Sequence, residues 1–124
     1  MNRFDLFNYR NNEKFIKAQI RVYKYKRKRL EDLKKQDNEK VNQLIKSYDN
    51  ILNDLLDQQK NQDKVLEQLK LMNNTKYRNI LFMYFIDGLS LKDISLELDL
   101  EYSITRRYKI SALNEFDEQV KNID

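Results

Sequence analysis

Apolar positions recur along this chain at helical spacings almost from end to end. The clearest run lies between Val41 and Met72, where Val41, Ile45, Tyr48, Leu52, Leu55, Gln59, Gln62, Leu66 and Leu69 alternate at steps of four and three. That is a heptad seam with a polar layer at its two glutamines. Leu44, Ile51, Leu56 and Val65 widen the stripe. A helix of this extent spans about 45–50 Å and needs a partner, because an isolated helix is marginal in water. Two partners are open: an earlier helix folded back as a hairpin, or a second copy of the chain. Ahead of the seam, Phe4, Phe7, Phe15, Ile16, Ile20, Tyr23 and Leu30 give a broken apolar face to a helix from about Phe4 to Lys35. The QDNE stretch at 36–39 is the expected corner.

Asn73-Asn74-Thr75 interrupts the period, and Thr75 is the expected N-cap of the next helix. NILFMYFI, Asn79 to Ile86, is apolar nearly all round, the pattern of a short helix covered on more than one side. Asp87-Gly88 stops it, the glycine supplying a left-handed residue. From Leu89 to Leu113 the chain reads as helix, tight corner, helix. Ser90 is an N-cap with Asp93 at the capping-box spacing, and Leu89 and Ile94 take the staple positions. Leu91, Ile94, Leu96 and Leu98 then offer apolar surface. Asp99 is the corner residue in the left-handed region, and Leu100 is expected to plug the corner inward. On the second helix, counted from Glu101 at about 100° per residue, Ile104, Thr105, Tyr108, Ala112 and Phe116 share one side. Ser103, Arg106, Arg107 and Ile110 share the other, with Tyr102 and Lys109 at the margin.

Composition supports helices throughout. The 124 residues include no Pro and one Gly, so nothing punctuates long helices. β-branched residues are few, and no stretch keeps strand alternation for long. The expected class is all-α: an N-terminal helical hairpin or coiled coil over 1–72, serving oligomerisation, then a helix-turn-helix domain over 73–124. Cys and His are both absent, which removes disulfides, thiolate nucleophiles, imidazole bases and nearly all zinc-site chemistry. No nucleophile, base and orienting residue stand together, so no enzyme activity, metal or cofactor is expected. No apolar run reaches membrane-spanning length and no signal segment opens the chain, so a soluble, intracellular protein is expected.

The formal net charge of +4 is unevenly spread. Residues 1–35 carry 12 basic and 4 acidic groups, 36–75 carry 5 and 7, and 76–124 carry 7 and 9. The basic excess therefore lies in the first helix, where RVYKYKRKRL, Arg21 to Leu30, holds six basic residues. Three readings of this run are open: a solvated helix face, a phosphate-binding strip, or a surface for an acidic protein. The outer face of the last helix points to duplex DNA, since arginine can grip guanine bidentately and an apolar tip can meet a thymine methyl. The candidate DNA contacts are Tyr102, Ser103, Arg106, Arg107, Lys109 and Ile110, with Arg21, Lys24, Arg27, Lys28 and Arg29 supplementing them.

Residues 78–116 resemble region 4 of bacterial sigma factors and the phage transcriptional regulators built on it. LSLKDISLELDL resembles that family's first motif helix through Leu89, Ser90, Leu91, Ile94 and Leu98, and YRNILFMYFIDG resembles the helix before it. Tyr108-Lys109, Ala112-Leu113 and Phe116 resemble the ending of ArpU-type regulators, with the tyrosine–lysine spacing one residue short. RinA-type late activators share the outline. Asp99 stands where the family uses a small corner residue, and Glu101 where it commonly places Ser or Thr. The resemblance implies a sequence-specific transcription regulator of phage or mobile-element type, acting on double-stranded DNA in the cytoplasm of a bacterial host. A homodimer through residues 41–72 and a contact with RNA polymerase are further expectations. Two other classes remain open: a small-terminase-like DNA-recognition subunit, and a coiled-coil adaptor that touches polymerase or another protein.

Overall fold

The computed structural model describes residues 1–33 and 39–121, and among them every regular element is helical. The order is α1 (Arg3–Asp32), α2 (Glu39–Lys70), α3 (Thr75–Leu81), a π-helical turn (Phe82–Ile86), α4 (Leu91–Leu98) and α5 (Tyr102–Lys121). The corner expected at 36–39 lies outside the described residues except for Glu39, which opens α2. Lys35, the expected end of the first helix, lies outside them too.

The described chain divides into two compact units, one made of Met1–Asn11 with Gln62–Asp124, the other of Asn12–Asn61. The helix break expected near residue 72 is present at Leu71–Asn74, but packing does not divide there, because the end of α2 belongs with the C-terminal helices. In that first unit, Leu6 and Tyr9 of α1, Val65, Leu69 and Met72, Leu81 and Phe85, and Ala112, Leu113, Phe116 and Val120 form one buried cluster. Each buried Leu, Val, Met or Phe among them contributes about 1.5–3 kcal/mol by leaving water. Polar ties fasten the same unit. Arg3 donates to Asp117 (Nε–Oδ2 2.6 Å) and Asn114, Gln62 donates to the Tyr9 carbonyl at 2.9 Å, and Gln119 donates to the Gln68 carbonyl at 2.7 Å. Asn2 caps α1 by accepting from Phe4, and Asp5 accepts in return from the Asn2 amide.

In the second unit, Ile16 and Ile20 of α1 share a buried cluster with Leu52 and Leu55 of α2, and Tyr23 and Ile51 pack against it. Tyr23 and Tyr48 meet at 5.7 Å between ring centroids. Every residue of the heptad seam is buried or half-buried, and Ile16 and Ile20 of the same chain pack on its middle.

The α1 face differs from expectation. Phe4, Phe7 and Phe15 are exposed, while Leu6 and Tyr9 are buried. The inward line is Leu6, Tyr9, Glu13, Ile16, Ile20, Tyr23, Arg27 and Leu30, an unbroken series of three- and four-residue steps. The two charged members obscure it in the sequence. Each has a partner: Glu13 pairs with Lys17 at 3.1 Å, and Arg27 with Asp49 and Glu31. On α2, Val65 is buried as expected, Ile51 is half-buried, but Leu44 and Leu56 are exposed.

Candidate nucleic-acid interface

Three local devices shape the segment that leads into α5. Asn74, one residue before the expected cap, accepts from the Tyr77 amide and starts α3. The stretch Phe82–Ile86 then widens into a π turn, with the Asp87 amide bonded to the Phe82 carbonyl at 3.0 Å and the Leu89 amide to Met83 at 2.9 Å. Gly88 follows at φ 76°, as its left-handed role requires. The Arg10 guanidinium lies directly over it, where a Cβ would otherwise stand.

Ser90 caps α4, its hydroxyl accepting from the Asp93 amide at 3.1 Å. The other end closes at Asp99, the one non-glycine residue with positive φ among those described (φ 53°, ψ 47°). Its amide bonds to the Leu96 carbonyl at 3.4 Å, and the Leu100 amide bonds to the Ser95 carbonyl at 2.9 Å. This pair of bonds is a Schellman closure, with aspartate in the place glycine usually takes. Leu100 is half-buried beside it. The inward stripe of α4 is Leu91, Ile94, Ser95 and Leu98, the three–four spacing of a helix. Leu96 lies off this stripe and is 73% exposed, because it sits about 200° round the helix from Ile94. Ser95 fills the inward place and donates to the Lys92 carbonyl at 2.7 Å.

α5 is pinned by Thr105, Ala112, Leu113, Phe116 and Val120, all buried. The Thr105 hydroxyl donates to the Glu101 carbonyl at 3.1 Å, so this polar side chain is buried without an orphan donor. Ile104 and Tyr108 are half-buried, Tyr108 packing on Tyr77 with the Lys76 ammonium 5.2 Å from its ring centroid. Of the candidate contacts on this helix, Tyr102, Ser103, Arg106, Arg107 and Ile110 are exposed. Lys109 departs from them. Its ammonium lies 3.9 Å from the Tyr84 ring centroid and 5.7 Å from that of Phe85, so it is held over the aromatic edge of the π turn. Acidic groups surround the corner: Asp93, Glu97, Asp99 and Glu101 are all exposed.

The other candidate cations belong to the second unit. Arg21, Lys24, Lys28 and Arg29 are exposed. Arg27 is not available in the same way, for it donates to Asp49 and pairs with Glu31 at 2.8 Å. The hydrogen bond it donates to Asp49, then that to Glu31, raises its guanidinium above the ordinary value, so it is charged at any ordinary pH.

Two shallow clefts had no sequence signal. One, of about 500 Å³, is lined by Phe7, Arg10, Asn11, Tyr84, Phe85 and the Gly88–Ser90 turn. The other, about 440 Å³, is lined by Lys70, Arg78, Asn79 and Phe82. The first joins residues distant in sequence, which no periodicity links. Among the described residues no three acidic side chains gather to hold a metal ion, and no helix is long and apolar enough to cross a membrane. No family model matches the chain, and neither does any curated protein or solved structure.

Proposed function

We propose that this chain is a sequence-specific DNA-binding regulator of phage or mobile-element type, with α4, the Asp99 corner and α5 as a helix-turn-helix and α5 as its reading helix. The observation that carries this reading is the division of α5 into two faces. Thr105, Ala112 and Phe116 anchor one, while Ser103, Arg106, Arg107 and Ile110 stand free on the other beside a capped, tightly closed corner. A helix presenting two guanidinium groups with no ion-pair partner among the described residues suits a major groove. The resemblance of residues 78–116 to sigma region 4 supports the same reading. α1 and α2 act as an antiparallel hairpin that carries the basic strip, from which Arg21, Lys24, Lys28 and Arg29 add phosphate affinity without sequence preference. Because the chain covers its own seam at Ile45, Leu52 and Leu55, the expected homodimer would need a surface other than that seam.

The test is selection from a random duplex library at low salt, followed by anisotropy titration of the recovered sites. A preferred site bound at least about 10³-fold over random duplex supports the regulator reading. The small-terminase-like reading predicts a ring-sized mass in light scattering. A specific observation favours the adaptor: exposed Leu96 among Glu97, Asp99 and Glu101 is poorly suited to phosphates and well suited to a basic protein surface. Capture of purified RNA polymerase without duplex binding would select that reading.

A further inference from the structure

We propose that the outer face of α1 between residues 15 and 33 is a docking surface for an acidic amphipathic helix of a partner protein. It does not rest on the reading role of α5, but it assigns Arg21, Lys24, Lys28 and Arg29 to a protein partner that would compete with duplex phosphates for them. Four large apolar side chains lie open on that face: Phe15 at 62% exposure, Val22 at 48%, Tyr25 at 62% and Leu33 at 64%. At about 100° per residue, Phe15, Val22 and Leu33 fall within about 20° of one line, with Tyr25 about 80° to its side. The buried line of Ile16, Ile20, Tyr23 and Leu30 is centred about 100° away, so this is a second stripe and not the edge of the first. Phe15, Val22 and Tyr25 are spaced by seven and three, with Ala18 half-buried between them, which is the a/d spacing that another helix fits. The stripe runs about 27 Å, or five turns.

Charge names the partner. From Lys14 to Leu30 the helix carries eight basic residues and no acidic one. Lys17 pairs with Glu13, and Arg27 with Asp49 and Glu31. Lys14, Arg21, Lys24, Lys26, Lys28 and Arg29 have no acidic partner among the described residues. Lys14, Arg21 and Lys28 border the stripe on the side away from α2, Arg29 lies within it, and Lys26 flanks it on the α2 side. A second α1 would bring like charges together at close range, which opposes self-pairing. Duplex phosphates would satisfy the cations but leave the four apolar side chains in water. A bilayer surface asks for a broad apolar arc, and this one is narrow, interrupted by Arg29 and flanked by Lys26. A helix with apolar residues at a and d and carboxylates beside them meets both requirements at once.

The probe is a fluorescein-labelled synthetic helix of about 20 residues, long enough to follow the stripe, with leucine at a and d and glutamate at the flanking positions. Its control has lysine for every glutamate. The intact chain is expected to bind the acidic peptide in anisotropy and not the basic one. The double substitution Phe15→Ser with Val22→Ser should weaken that binding at least tenfold while helicity by circular dichroism is unchanged. Tyr25→Ala with Leu33→Ala, at the other end of the stripe, should do the same and covers the case in which the first pair disturbs folding. The proposal is overturned if the intact chain does not bind the acidic peptide, or if both double variants bind it as well as the parent. It is equally overturned if the substitutions abolish sedimentation with phosphatidylglycerol vesicles in place of peptide binding, or if they convert a dimer into a monomer in light scattering.

Discussion

Asp99 shows how a single residue carries the candidate site. At φ 53° an aspartate closes α4 where glycine would rest without steric cost. Asp99→Gly should therefore raise stability by up to about 1 kcal/mol in urea denaturation, and Asp99→Val should lower it. Gly88→Ala places a Cβ where the Arg10 guanidinium lies. That group is the far end of a flexible side chain and can swing aside, so the remaining cost is the left-handed backbone, about 1–2 kcal/mol. A loss much beyond that would mean Arg10 is fixed in place. For recognition, Arg106→Ala should weaken the preferred duplex by about 1–3 kcal/mol and relax the preference at one or two base pairs. Equal weakening on every duplex would assign Arg106 to phosphate contact instead. The sequence made the corner, the Ser90 cap and the outward arginines legible because each depends on a residue type or on spacing within one helix. It did not reveal that Lys109 turns onto Tyr84, since Tyr84 comes from another element and its π turn alters the local register.

At the scale of elements, α2 was the most legible part. All nine seam positions from Val41 to Leu69 point inward, and one glutamine of the expected polar layer, Gln62, is buried with its amide bonded to the Tyr9 carbonyl. α1 was harder to read. Its inward line includes Glu13 and Arg27, so counting apolar residues alone drew in exposed Phe4, Phe7 and Phe15 and passed over Leu6 and Tyr9. On α4 the apolar Leu96 lies off the buried stripe and is exposed. The packing of Leu52 and Leu55 against Ile16 and Ile20 yields a sharp prediction. Leu52→Asp with Leu55→Asp should unfold this part of the chain, lowering ellipticity and broadening the thermal transition, because two charges would be buried without partners. If the seam instead joined two chains, the same variant would halve the mass in light scattering and keep its helicity.

Across the whole molecule, charge is the deciding property. The C-terminal residues 76–124 carry more acidic than basic groups, while the excess of positive charge sits on α1. On the proposed reading, affinity for duplex would draw on two different sets of residues, and salt would separate them. Each phosphate contact contributes about 0.9 to the slope of log affinity against log salt concentration. Replacing Arg21, Lys28 and Arg29 by Gln should flatten that slope and weaken all duplexes alike, whereas Arg106→Ala should leave most of the slope and lose specificity. Arg27→Gln should have a smaller effect on the slope, since its guanidinium is already engaged by Asp49 and Glu31.

The central claim is that the outer face of α5 reads duplex DNA, and an anisotropy titration of the intact chain against its selected duplex, across a salt series, with Arg106→Ala and Arg107→Ala alongside, tests it most directly. The account predicts saturable binding at low salt, a preference for the selected duplex over random sequence, and loss of most of that preference in the two arginine variants. Absence of duplex binding at low salt, or a preference untouched by both substitutions, would contradict it.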